Sequence, residues 1–200
     1  MFTKHTKVGY IVVLVYIDDL LITGSHLSLI QQLQQQLHTI LHMKNLGSLR
    51  YFLGLEVARS EKGIFICQRK YVLDLLRDIG MLAAKPVYLP MDSNAKLVSE
   101  GPLLSEPKSY RRLIGELIDL TVTRLDITYS VQVLSQFMKS TTLDHMHAAM
   151  CVLRYLKRAP GQGILLSASS ISVLTTYCDN DWGSCLGSRK STTGFLHSVG

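Results

Sequence analysis

Cysteine is scarce in this chain, four in 200 residues, and none of the four stands in the paired spacing that a zinc site requires. Cys67, Cys151, Cys178 and Cys185 are scattered single residues, and no secretory leader precedes them, so a reduced, intracellular protein is the expectation. A long apolar run is missing as well. The nearest approach, Val8 to Ile22, falls short of the ~20 residues that a helical span needs and is broken by two aspartates, so no transmembrane segment is expected. There is no internal repeat. Nor is there the polar excess of a disordered chain: 47% of residues are hydrophobic and 18% charged, which suits a chain that folds and buries a core as one large or two small domains. Acid is in modest deficit, 15 Asp and Glu against 21 Lys and Arg, for a net charge of +6. That excess is a mild bias towards polyanions, because Lys and Arg displace counterions from phosphates.

What is present divides by pattern. Ile11 to Val15 continues through Tyr16 and Ile17, meets Asp18 and Asp19, and resumes as Leu20 to Thr23. This reads as a hairpin with the two aspartates as its polar turn. Ile30, Leu33, Leu37 and Ile40 then recur at helical spacing, with a glutamine-rich opposite face. Tyr51 to Ala58 and Ile64 to Gln68 form a second predicted hairpin about a turn at Ser60 to Gly63. Val72, Leu75, Leu76 and Ile79 define a short helix that Gly80 ends.

Pro86, Pro90 and Pro102 exclude a long helix or central strand from Lys85 to Glu106. Three helical patterns follow: Tyr110, Leu113, Ile114 and Leu117; Ile127, Val131, Leu134 and Met138; Met146, Ala149, Leu153 and Leu156. Ser105, Asp126 and Thr142 are the candidate caps. Pro160, Gly161 and Gly163 break this helical module, and a further β-rich unit is expected at Val173 to Cys178 and Gly194 to Val199.

Chemistry points first to Tyr16-Ile17-Asp18-Asp19. Two carboxylates at the tip of an apolar hairpin suit hard divalent cations, which take oxygen ligands, and a pair of such ions can activate an attacking hydroxyl and stabilise a leaving oxygen in phosphoryl transfer. A plain turn is the bland alternative, since Asp is common in turns. His38 with His42, and His145 with His147, have tempting spacings, but in neither set does a nearby Cys or carboxylate complete a recognised site, and surface or interface histidines are the expectation.

The order of further motifs decides between these readings. Tyr16 to Gly24, Met43-Lys44-Asn45-Leu46-Gly47 and Tyr51-Phe52-Leu53-Gly54-Leu55-Glu56-Val57 resemble the metal-binding hairpin, the next palm segment and the primer-gripping hairpin of copia-type reverse transcriptases. Tyr110 to Gly115, Leu134-Ser135-Gln136-Phe137-Met138 and Val152-Leu153-Arg154-Tyr155-Leu156-Lys157 resemble that family's thumb. Asp179-Asn180-Asp181-Trp182 with Arg189 to Gly194 resembles the opening of its RNase H domain.

The resemblance implies an α+β chain in three parts: residues 1–84 the C-terminal part of a palm, 85–165 a mainly helical thumb or connection, and 166–200 the start of an RNase H-like sheet. It implies RNA-directed DNA polymerase chemistry on an RNA or DNA primer-template with Mg2+ or Mn2+. Asp18 would be a catalytic metal ligand, Asp19 its acidic neighbour, and Asp179 the first RNase H carboxylate, with Asp181 a weaker candidate. Tyr16 would lie beneath the primer terminus. Lys44 would stand near the incoming triphosphate or be a solvated lysine after a helix; both readings stay open. Arg111, Arg112, Arg124, Arg154, Lys157 and Arg158 are candidates for the phosphate backbone, though Arg154, Lys157 and Arg158 also suit a helix C-terminus without any ligand.

Both family sites need further carboxylates that do not occur in these motifs, so an isolated chain is expected to be inactive. A non-catalytic nucleic-acid-binding remnant, or a relic reading frame without function, is the alternative. Leu125 stands where the family has proline, and Asp119 where it has an aromatic residue; a buried Asp119 would be costly. Trp182 is expected to pack in a core.

Overall fold

The computed structural model describes residues 1–92, 97, 101–169, 173–183 and 191–199. It is an α+β chain whose contacts divide it into two compact units, Met1–Leu53 and Gly54–Gly200. The second predicted hairpin sits mostly in the second unit, together with the later helices.

In the first unit β1 (Phe2–His5), β2 (Tyr10–Tyr16) and β3 (Asp19–Gly24) form an antiparallel sheet in that order. The β2–β3 register runs from Ile11 opposite Gly24 to Tyr16 opposite Asp19. Ser25 and His26 lead into α1 (Leu27–Leu41), which packs on β3. Ile30, Leu33 and Leu37 on its predicted inner face are half-buried, while Ile40 is exposed. The helix stops at His42, whose left-handed φ of 50° lets its N–H reach the His38 carbonyl. The short β4 (Tyr51–Phe52) ends the unit. Among the unit's described residues only Ile11 is buried, so little apolar area stabilises it.

The second unit opens with β5 (Leu55–Ser60) and β6 (Gly63–Cys67), an antiparallel pair closed by Glu61 and Lys62. β7 (Gly163–Ser167) returns from the far end of the helical module to pair antiparallel with β6. Glycine permits that approach: a Cβ on Gly163 would stand 2.1 Å from the Ile66 carbonyl oxygen.

Helix α2 (Arg69–Asp78) buries Val72, Leu75 and Leu76. It ends as expected at Gly80, φ 75°. There the Gly80 and Met81 N–H groups donate to the Arg77 and Leu76 carbonyls at 2.9 and 2.7 Å, the crossed pair that satisfies carbonyls left open at a helix end.

Helices α3 (Pro107–Leu120), α4 (Thr128–Ser135) and α5 (Leu143–Arg158) complete the module. Most of their expected stripes are the core: Tyr110, Leu113, Ile114 and Leu117 from α3, Ile127 and Val131 with Leu134 at α4, and Ala149, Leu153 and Leu156 from α5 are buried in one cluster with the α2 residues, while Met138, beyond the end of α4, and Met146 are partly buried against it. At about 1.5–3 kcal/mol for each large apolar side chain, stability is concentrated here.

Two of the three expected caps are corrected. Ser105 is outside α3, whose N-cap is Glu106 followed by Pro107, a residue whose missing N–H costs nothing in a first turn. Asp126 lies inside a 3₁₀ turn, Leu125–Ile127, with its carboxylate on Arg124. Thr142 does cap α5, in a reciprocal box with His145. Asp119 is exposed, so its charge carries no burial cost.

β8 (Leu174–Asp181) and β9 (Thr192–Val199) pair antiparallel as a two-stranded ribbon. Trp182, expected in a core, is 93% exposed beside it: among the described residues the ribbon has no covering layer for an indole to enter. Cys67 is buried, Cys151 half-buried and Cys178 exposed, all three free; Cys185 lies outside the described residues.

Candidate functional site

The first hairpin places its carboxylates one residue differently from the sequence reading. The two-residue turn is Ile17-Asp18, and Asp19 already belongs to β3, paired with Tyr16 across the ladder. The reason lies in the register, which joins Tyr16 to Asp19 and leaves two residues to reverse the chain. Ile17 takes the first of these places with φ 49°, a left-handed conformation that is a genuine outlier for a β-branched residue. Strain of this kind is held by the surrounding ladder.

Asp18 and Asp19 are both exposed, and among the described residues no hydrogen bond or ion pair occupies either carboxylate. They are the only acidic residues in the first unit, against Lys4, Lys7, Lys44 and Arg50. Tyr16 is half exposed and Ile17 80% exposed, so an open surface surrounds the dyad. The donors fit a hard divalent cation, which binds carboxylate oxygens and retains water. Among the described residues no cluster of three or more His, Cys, Asp or Glu forms a cage, so the pair offers two ligands rather than a closed site. Lys44 is exposed in the irregular segment after α1.

The cations proposed for a nucleic-acid backbone all lie in the second unit, and each already has a partner there. Arg111 donates from Nε to the Met138 carbonyl at 2.9 Å, and Arg112 pairs with Glu116 at 2.9 Å. Arg154 donates from Nε to the Lys85 carbonyl at 2.8 Å, and Lys157 from Nζ to the Ala84 carbonyl at 2.6 Å. Arg158 covers the Tyr88 ring, 4.3 Å from its centroid. These last three draw the connector after α2 onto α5.

Arg124 must be removed from the candidates for phosphate contact. It is 1% exposed, held by Asp126 and by the Ala159 carbonyl.

Asp179 is exposed within β8, opposite Gly194, and its Oδ1 accepts the Asn180 N–H at 2.9 Å. It lines a shallow depression with Tyr177, Cys178, Gly194 and Phe195. Backbone pairing places Asp181 opposite Thr192. Arg189 and Lys190 of the same motif lie outside the described residues.

A family model for reverse transcriptase (RNA-dependent DNA polymerase) matches residues 1–93. The Pol polyprotein of transposon RE1 from Arabidopsis thaliana is 39% identical over all of this chain. The Pol polyprotein of transposon TNT 1-94 from Nicotiana tabacum is 32% identical over 98% of it. An uncharacterized mitochondrial protein of Arabidopsis thaliana is 36% identical over 94% of the chain and 78% of its own length. The chain belongs to the copia-type retrotransposon Pol family.

This Pol chain spans 14% of the length of the RE1 relative. No solved structure matches it. Among its described residues no helix is long and apolar enough to cross a membrane.

Sequence reasoning missed two structural centres of the Pol chain. His145, expected at a surface or interface, is fully buried, with Nδ1 accepting the Thr142 N–H at 3.0 Å and its ring stacked on Phe137 at 4.0 Å. The threonine three residues earlier was the available signal, since a side-chain acceptor at that spacing can reach back to a cap N–H. Asp126 was the other: it gathers Arg124, the Tyr155 hydroxyl at 2.7 Å and Gln162 at 3.3 Å. Only the Arg-x-Asp spacing of that cluster was visible locally.

Proposed function

We propose that this chain supplies the C-terminal part of a reverse transcriptase palm, its thumb and the opening of an RNase H domain, within a copia-type RNA-directed DNA polymerase. Asp18 and Asp19 would hold Mg2+ or Mn2+, and Tyr16 would support the end of a primer strand. The observation that carries this reading is the exposed dyad on a strained hairpin, inside the region that the reverse transcriptase family model matches. When bound, two such ions activate the attacking hydroxyl and neutralise charge on the departing oxygen. The chain's own part is to present two unoccupied carboxylates at a position fixed by the Tyr16–Asp19 pairing, with Lys44 as a candidate for triphosphate charge. Asp179, open on β8, would begin the second metal site, for hydrolysis of RNA in a hybrid. Arg111, Arg112, Arg154, Lys157 and Arg158 would serve the template-primer backbone through whatever donors their internal contacts leave free.

The dyad alone does not complete a polymerase centre, and the isolated chain is expected to be inactive. In a primer-extension assay with magnesium, the 200-residue chain should make no product; DNA synthesis that Asp18→Asn abolishes would overturn the inactivity. Metal binding has its own readout. Mn2+ should broaden backbone amide signals around Asp18 and Asp19, and the Asp18→Asn, Asp19→Asn variant should lose that broadening. Equal broadening in both proteins removes the metal assignment.

A second reading, a nucleic-acid-binding module without chemistry, is favoured by one observation: the large buried core belongs to the second unit, while the dyad belongs to the first. Salt-sensitive binding to a primer-template without metal-dependent synthesis fits it.

A further inference from the structure

We propose that the connector and the C-terminal half of α5 form a site for an unpaired nucleic-acid strand, with one base stacked on Tyr88. This rests on the reading of nucleic acid as the partner, and it adds a residue and a strand type to that reading.

Tyr88 is 75% exposed, yet it is held in place. Pro86 and Pro90 flank it and restrict the backbone on both sides. The Val87 N–H donates to the Arg154 carbonyl at 3.4 Å, fastening the residue before it to α5. Arg158 lies against the ring, 4.3 Å from its centroid. A large aromatic surface is thus preorganised facing solvent, at little further entropic cost to a ligand.

Cations predominate in the two elements that carry it, and the nearby Asp126 carboxylate, which meets Tyr155 of α5, is paired with Arg124. Lys85 and Arg158 are exposed, and Arg154 and Lys157 lie alongside, each with one nitrogen on a connector carbonyl. In the connector from Met81 to Asp92 the single acid is Asp92, four residues beyond Tyr88. The single acid of α5, Asp144, is ~20 Å along the helix from Arg158. Cations that follow a phosphate backbone beside an aromatic platform are the combination that binds single strands with little sequence preference. A duplex keeps its base faces stacked internally and cannot offer one to Tyr88.

The test is fluorescence anisotropy with labelled oligo(dT), labelled oligo(rU) and a short duplex, in EDTA, on the full chain. Tyr88→Ala should weaken single-strand binding about five- to hundred-fold, with the slope of log affinity against log salt unchanged, while Tyr88→Phe binds as the parent does. Arg158→Ala should lower that slope by about one phosphate contact. A preference between the DNA and RNA strands identifies which is held. Three results each overturn the proposal: no strand binding by the parent, Tyr88→Ala binding like the parent, or duplex binding that depends equally on Tyr88. Mn2+ broadening at Asp18 and Asp19 is read on the chain alone, without any strand, so loss of the metal-site reading and loss of this site are separately visible.

Discussion

Arg124 and Asp126 form a two-pronged ion pair, Nε to Oδ1 at 3.0 Å and Nη2 to Oδ2 at 2.8 Å, with Arg124 only 1% exposed. The third guanidinium nitrogen donates to the Ala159 carbonyl at the end of α5. One side chain therefore ties the 3₁₀ turn before α4 to the chain leaving α5.

Removing the carboxylate would leave a buried cation without its counter-charge. Asp126→Ala should cost about 3 kcal/mol, the low end for a broken buried pair, because Asp126 is itself a quarter exposed. Denaturant unfolding followed by helical circular dichroism measures it; a loss below about 1 kcal/mol would show that water or another group replaces Asp126.

The same pair sets a pH dependence. Burial pushes the Asp126 carboxyl up, but hydrogen bonds from Arg124 and Tyr155 outweigh it and hold the group below its ordinary value of 3.8. A depressed carboxyl contributes stability above its unfolded pKa and loses it as pH falls through the folded one. Stability assigned to this group should therefore be constant from neutral pH to about 5 and decline below about 4. Asp126→Asn should flatten that part of the acid limb in a thermal-melt series; an acid limb that remains parallel to the parent's contradicts the linkage.

Amide exchange should divide the chain. Backbone N–H groups of α3 and α5, over the buried cluster, should exchange far more slowly than those of β2 and β3, where Ile11 alone is buried among the described residues. Slower exchange in the first hairpin than in these helices would refute this assignment of where stability resides.

Ile17 supplies a prediction in the opposite direction. Its φ of 49° is costly for isoleucine and tolerated by asparagine, and at 80% exposure the side chain loses little burial when replaced. Ile17→Asn should stabilise the β2–β3 hairpin by about 0.5–1 kcal/mol, seen as two- to five-fold slower exchange at Val15 and Leu20. Unchanged or faster exchange there means the conformation costs nothing.

Much of the second unit was legible because it depends on short-range order. Tyr110, Leu113, Ile114 and Leu117 fall on one helical stripe, and Gly80 offers the left-handed residue a helix end needs; both follow from spacing along the chain. The aspartate dyad was equally plain, although the turn was misplaced by one residue. Composition favours Asp in turns, but the ladder put Ile17 there.

The sequence by itself determined the family, the adjacency of Asp18 and Asp19, and the apolar faces of the helices, since motif order and residue spacing carry that information. Tertiary structure alone decided which charges are occupied. The acceptors for Arg154 and Lys157 come from residues 69 and 73 positions away, and the partner of β7 is a strand on the other side of the helical module. A long-range hydrogen bond leaves no periodic trace in the chain, because its energy depends on where a distant carbonyl arrives after the core has closed.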